Sequence, residues 1–300
     1  MVLDRINKQR SKLVITTVVL TTISGFTIML FILAFLEIID NPLKMIGIAD
    51  PFIESIVSMM LPTIITRTVY NIMYKKYRSN YKNIICEEVL EKMFDIEEFV
   101  PAAGFRKNFV EETFLIKKGN VFKSDDYIRG KYKGYSFDRS DVLVQEVTKK
   151  GKDNTKVETY FHGNWSVLEF PKNFSNYLML RENESVFTSG PRGGLFSGKP
   201  KTHKIQFESI EFNEMFVAFA EDEHEAFYLL SPTFMNRLIE LKKNADGVMT
   251  IGFINNKLHI LFDTGEDQME PRVFTKVREE DFRKVENEMS IICAIVDLFR

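Results

Sequence analysis

The sequence predicts an α+β protein: an N-terminal transmembrane helical hairpin followed by a cytosolic antiparallel-sheet domain with a few packed helices. Three observations predict it. Residues Leu13 to Leu36 run without a charge. A second apolar stretch follows from Pro51 to Tyr74. Beyond about residue 104 the pattern turns to short runs rich in aromatic and β-branched residues, separated by polar turns. With 45% apolar and 27% charged residues in 300, the chain can bury a sizeable core. A formal net charge of −2 argues against bulk binding of nucleic acid, which draws on a basic domain.

The first apolar run is long enough to cross a bilayer, since about 20 apolar residues suffice for a spanning helix. It ends in Glu37-Ile38-Ile39-Asp40-Asn41-Pro42, which offers no small-residue cleavage site. The spans are placed at about 13–37 and 51–74, within a hairpin over 1–74. The second is less apolar and contains Glu54, Pro62, Arg67 and Asn71. Glu54 lies in its first turn and Arg67 about two turns from the other end, so both can reach an interface; as intramembrane polar groups they are functional candidates. An amphipathic surface helix or a re-entrant hairpin is the alternative for this segment. Arg5, Lys8, Arg10 and Lys12 precede the first span, and Lys75, Lys76, Arg78 and Lys82 follow the second. The positive-inside rule then predicts a multi-pass protein of the cytoplasmic membrane with both termini in the cytosol.

A connecting helix is expected over 75–98, with Ile84, Ile85, Val89, Leu90 and Met93 along one stripe. The cytosolic domain occupies 99–300, with a flexible loop at about 183–203. Strands are expected at Tyr132–Phe137, Val142–Val147 and Val157–Phe161, with Lys149–Asn154 as a hairpin tip between the last two. Further strands are expected at Lys204–Ile210 and Phe212–Ala220. Ser231 and Pro232 mark a helix start, and Lys242 and Lys243 suit its last turn. Val248–Ile254 and Lys257–Phe262 pair across Asn255-Asn256, because Asn tolerates positive φ. Glu279–Arg300 forms a last helix, expected to pack on the domain's own core, with an oligomer contact as the alternative.

Candidate sites are sparse. Gly193–Lys199 (GGLFSGK) matches the outline of a phosphate-binding loop, but Pro200 stands where a Ser or Thr must follow the Lys, so a surface loop is expected. Arg192, Lys199, Lys201 and Lys204 form a possible anionic-surface loop. The acidic run Glu221–Glu225 is expected to be a solvated turn. Cys86 and Cys293 match neither a zinc nor a redox spacing and are expected as buried thiols. No catalytic, cofactor-binding or metal-ligating residue is assigned.

Several motifs resemble a bacterial family of membrane-anchored proteins, the domain of unknown function numbered thirty-one thirty-seven. Asp126-Tyr127-Ile128-Arg129-Gly130 resembles its D-Y-x-x-G, Phe161-His162-Gly163-Asn164-Trp165 its F-x-G-x-F, and Pro171-Lys172-Asn173-Phe174 follows. Phe212, Phe216, Asp222, Glu225-Ala226-Phe227-Tyr228, Leu230-Ser231-Pro232 and Phe234-Met235-Asn236-Arg237-Leu238 resemble its longest pattern. Phe227 departs from the Arg usual there. The resemblance implies two N-terminal membrane helices and a shared cytosolic fold, and no activity. The expectation is therefore a non-enzymatic module, anchored in the lipid bilayer, that binds a protein partner, a copy of itself, a small ligand or the membrane surface through its cytosolic domain. The alternative is a ligand-gated membrane effector, as in antiphage defence, which resembles it in architecture alone.

Overall fold

The structure, a computed structural model, describes residues 2–36, 51–149, 155–183, 191, 199–267 and 269–298, without the side chains of 35, 51–56, 58 and 59. The chain divides into two compact units. One comprises Met1–Ile85 with Glu270–Asp281, the other Cys86–Met269 with Phe282–Arg300.

The first unit is built on α1 (Val2–Phe35) and α2 (Pro51–Ile85). They pack antiparallel: Asn80 donates to Gln9 at 3.1 Å near one end, and Thr66 to the Leu20 carbonyl at 3.5 Å further along. Thr17, Thr21, Thr22 and Thr27 each return their hydroxyl to a carbonyl one turn back, so these polar groups burden no apolar surroundings. By length and composition α1 is the one helix among the described residues apolar enough to cross a membrane. The segment from Glu270 returns to this unit. Glu270 holds Arg78 and, at 2.7 Å, the fully buried Lys82, while Asn7 bonds Val277 through both its amide groups.

The second unit carries a nine-stranded antiparallel sheet among the described residues, ordered β1-β2-β3-β4-β9-β8-β5-β7-β6. Its strands are β1 (Asp95–Val100), β2 (Val121–Tyr132), β3 (Tyr135–Lys149), β4 (Thr155–Glu169), β5 (Leu178–Glu182), β6 (His203–Ile205), β7 (Phe216–Ala220), β8 (Val248–Ile254) and β9 (Lys257–Asp263). One face packs a core of Val142, Val144, Phe161, Trp165 and Leu261 against Val110 of α4 (Lys107–Glu112) and Leu115 just beyond it. The other face carries α7 (Pro232–Asn244) and α8 (Glu279–Asp297): Phe234 of α7 meets Phe253 of β8, and Glu288 of α8 meets Arg139 of β3. Val285, Met289, Ile292 and Val296 bury the inner stripe of α8, so its heptad-like spacing serves the domain core.

Several expectations hold. Ser231 accepts from the Phe234 amide and caps α7 with Pro232 at its first position. Asn255 and Asn256 stand at φ 50° and 62°, the tight hairpin turn expected between β8 and β9. Others are corrected. The expected strand Tyr132–Phe137 is cut by a turn at Lys133-Gly134, both at positive φ, which joins β2 to β3. The expected connecting helix over 75–98 ends sooner. It passes through a π-helical turn, Cys86–Leu90, into α3 (Glu91–Met93), and residues from Asp95 pair with β2 instead. The expected strand Phe212–Ala220 begins as helix α5 (Ile210–Met215), because the Ser209 hydroxyl accepts from the Phe212 amide and nucleates a turn. The expected strand Lys204–Ile210 shortens to β6, whose pairing with β7 ends at Ile205, while Ile210 opens α5. Glu221–Glu225 is not merely a solvated turn: Asp222 caps α6 (Glu223–Leu229), and Glu225 accepts from the amides of Ser175 and Asn176. The hairpin tip beyond Lys149 lies outside the described residues.

Candidate functional site

The sheet face beneath α8 holds a cluster of buried carboxylates. In a regular strand successive side chains leave on opposite faces, so adjacent acids cannot converge. Strand β2 breaks that rule. Its pairing with β3 slips between Asp125 and Ile128, and Asp126 adopts φ 54°. The displaced amides of Asp126 and Tyr127 donate to the carbonyls of Pro101 and Ala103, which fasten the bulge to the turn after β1. Asp125 is the register partner of Asp141 on β3. The bulge thus lets Asp125 and Asp126 both offer an oxygen to one point with Asp141. Asp267, from the segment after β9, completes the group: the four offer ligand atoms that all lie within 4.8 Å of one another.

Arg139, two residues before Asp141 on the same face, is 1% exposed. It pairs with Asp141 Oδ1 at 2.6 Å and with Glu288 Oε1. Burial works against its charge, but Asp141, Glu288 and Asp126 outweigh that and hold the guanidinium protonated. Burial pushes the Asp141 carboxyl well above the ordinary carboxylate range; Arg139 opposes this, while Asp267, within hydrogen-bonding reach, and Glu288 add to it.

Beside the cluster α7 and α8 enclose a groove of about 1090 Å³ whose floor includes Asn164 and Phe262, register partners on β4 and β9. Five carboxylates, among them Glu240, Asp246 and Glu266, line it against Arg237 and Lys284.

On the opposite face, the Trp165 indole donates to His259 Nδ1 at 3.2 Å. Burial, with Lys257 adding to it, lowers the His259 ring from 6.5 to about 3. The unfolded chain therefore takes up a proton near pH 6.5 that the fold refuses until about pH 3. Stability carried by neutral His259 is whole above pH 6.5 and is lost as pH falls through that window, by at most about 1.4 kcal/mol per pH unit. Asp141, with its raised value, pulls in the opposite direction, so a comparison isolates the histidine. His259→Gln, which keeps an acceptor and does not titrate, is expected to flatten the acid-side fall in the urea midpoint. An unchanged slope would assign that fall to other groups.

The sequence-derived candidates are described only in part. Arg67 is exposed on α2, and the side chain of Glu54 lies outside the described residues. Arg192 and residues 193–198 of the GGLFSGK stretch also lie outside them. Lys199 and Lys201 are exposed, and Lys204 is exposed on edge strand β6. Cys86 is buried and Cys293 half-buried, and burial raises both thiols, Cys86 to about 11. The carboxylate cluster escaped sequence reasoning. Its one local signal was the adjacent pair Asp125-Asp126 at the head of the D-Y-x-x-G motif.

Fold and site describe a sheet domain with a buried acidic centre, carried on a chain with an apolar N-terminal helix. The family model described as protein of unknown function (DUF3137) matches residues 159–300, so the resemblance drawn from the motifs holds over that stretch. None of the curated proteins compared with the chain matches it. Among solved structures, the mycobacterial trehalose monomycolate transport factor A is similar at 10% identity and a TM-score of 0.39, covering 73% of this chain and 94% of that one.

Proposed function

We propose that this protein is a non-enzymatic, membrane-anchored module whose sheet domain binds a basic segment of a partner protein in the groove between α7 and α8. The groove carries the reading: it is of ligand-binding size, and with Glu288 held by Arg139 and Asp297 by Lys133 its lining still sets Glu240, Asp246 and Glu266 against Arg237 and Lys284. Complementary potential then selects a positively charged occupant. In this reading α1 and the first part of α2 form a two-span hairpin, at about 13–37 and 51–74, with both termini in the cytosol. The outward display of Ile15, Val18, Ile23, Phe26, Leu61, Ile64 and Ile65, each 48–62% exposed, supports burial of both helices in lipid.

Native mass spectrometry of the protein gently extracted from its own host tests the proposal. A copurifying protein is expected, and it should be lost in the charge-reversal variant Glu240→Lys/Asp246→Lys. A discrete small-molecule mass increment in place of a protein would overturn the partner reading in favour of the ligand-gated effector. A bare species in repeated mild extractions would overturn it as well.

A further inference from the structure

We propose that Asp125, Asp126, Asp141 and Asp267 form a binding site for a divalent hard cation of calcium's size. This goes beyond the reading of the groove as a partner site and does not depend on it.

Ligand oxygens on opposite sides of calcium, at bond lengths of about 2.4 Å, stand about 4.8 Å apart. The four carboxylates offer oxygens with mutual separations within 4.8 Å. That spacing also admits magnesium, whose opposite oxygens stand about 4.2 Å apart; calcium is favoured because magnesium retains several waters, whereas calcium accepts an all-protein oxygen cage.

Two buried side chains outside the four acids bear on the same point. Asn164 is the register partner of Asp141, so its side chain leaves β4 on the same face and beside it. It is 5% exposed, and its Nδ2 finds no acceptor among the described residues. A buried amide donor without an acceptor costs about 1–3 kcal/mol. As the register neighbour of Asp141, Asn164 can supply its amide oxygen to a cation there by rotating the amide, and a neutral amide oxygen is an ordinary calcium ligand. Glu288 repeats the pattern. Its side chain is 10% exposed and Oε1 is taken by Arg139, yet Oε2 is buried without a donor among the described residues. Oδ2 of Asp141 is in the same position. Arg139 thus satisfies one oxygen of each of these carboxylates and leaves the other buried without a donor among the described residues. A cation satisfies such oxygens without requiring donors.

The site is built rather than incidental: the bulge that turns Asp126 inward is held by Pro101 and Ala103, and the Ser124 hydroxyl donates at 2.8 Å to the Asp141 carbonyl. Asp267 follows a loop whose Thr264 and Gly265 amides both donate to the His162 carbonyl. Glu288 and Asn164 also line the groove, so the groove reaches two residues that neighbour Arg139 and Asp141. The rival explanation is a proton shared between Asp141 and Asp267 with no metal at all.

The test uses the full chain in detergent, stripped with chelator and titrated with calcium chloride or magnesium chloride. Calorimetry is expected to give one calcium ion per chain, at least about tenfold tighter than magnesium. The thermal midpoint should rise by roughly 5–10 °C at saturating calcium. Asp267→Asn, in a loop where it disturbs no strand, is expected to weaken calcium binding by at least about tenfold. It should also raise the midpoint of the chelator-treated protein, since one charge of a repelling set is gone. Asp126→Asn provides a second variant with the same expected loss of affinity. Wild-type protein that binds no calcium would overturn the proposal and leave the shared proton. So would magnesium binding as tightly as calcium, or stoichiometric calcium binding undiminished in both variants.

Discussion

Arg139→Ala is expected to destabilise the sheet domain by about 3–5 kcal/mol, the cost of removing one partner from a buried ion pair. The guanidinium is 1% exposed and bridges Asp141 and Glu288, whose carboxyls are 7% and 10% exposed. Without it both acids face the interior with no countercharge of their own, and the Met269 sulfur loses its contact to Nη1 at 3.6 Å. Protonation offers the acids an escape, so the loss should shrink as the solution is acidified. Trp165, the single tryptophan and fully buried, reports unfolding directly in a urea titration. A double-mutant cycle with Asp141→Asn separates the pair from mere loss of packing. Coupling of more than about 1 kcal/mol is expected. Strictly additive effects would mean that Arg139 acts through its aliphatic stem rather than its charge.

Gly163→Ala is expected to cost about 3 kcal/mol, although it adds a single methyl group. Gly163 pairs with Asp263, and a Cβ there would overlap the Phe262 carbonyl oxygen and approach the Thr264 amide nitrogen to 3.0 Å. All of these neighbours are backbone, so no side chain can swing away to relieve the overlap. Strands β4 and β9 must separate locally. That displaces Asn164 and Phe262 at the groove floor and loosens the bonds from Thr264 and Gly265 to His162. The same fluorescence titration measures the loss. A decrease below about 0.5 kcal/mol would show that the two strands shift at little cost. The requirement for no side chain explains why a glycine stands between His162 and Asn164 in the motif shared with the family resemblance.

Much of the fold was legible from residues alone, and the reason is locality. The charge-free run Leu13–Leu36 needs no tertiary partner to declare a helix apolar enough for a membrane. Ser231-Pro232 and Asn255-Asn256 act within four residues through a cap and a left-handed turn, and both stand as the sequence implied. Where local signals competed, the sequence misled. Phe212–Met215 leads into the apolar run Phe216–Ala220 and reads as part of that strand, but a hydroxyl at Ser209 turned it into helix. Residues Asp95–Val100 extended the pattern of the preceding helix, but hydrogen bonds to β2 claimed them.

The candidate site belongs to the second kind entirely. Asp125 and Asp126 read as ordinary strand acids until the bulge turns both toward Asp141, and Asp267 arrives from a loop more than a hundred residues away. Arg139 and Glu288 meet only because α8 covers that face of the sheet. The sequence by itself determined the apolar helix, the strand-rich domain and the caps and turns that punctuate it, because those follow from interactions along the chain. Only the tertiary structure decided that the acids converge and that a groove opens beside them. Such a convergence depends on strand register and helix packing, and neither leaves a mark at any one position.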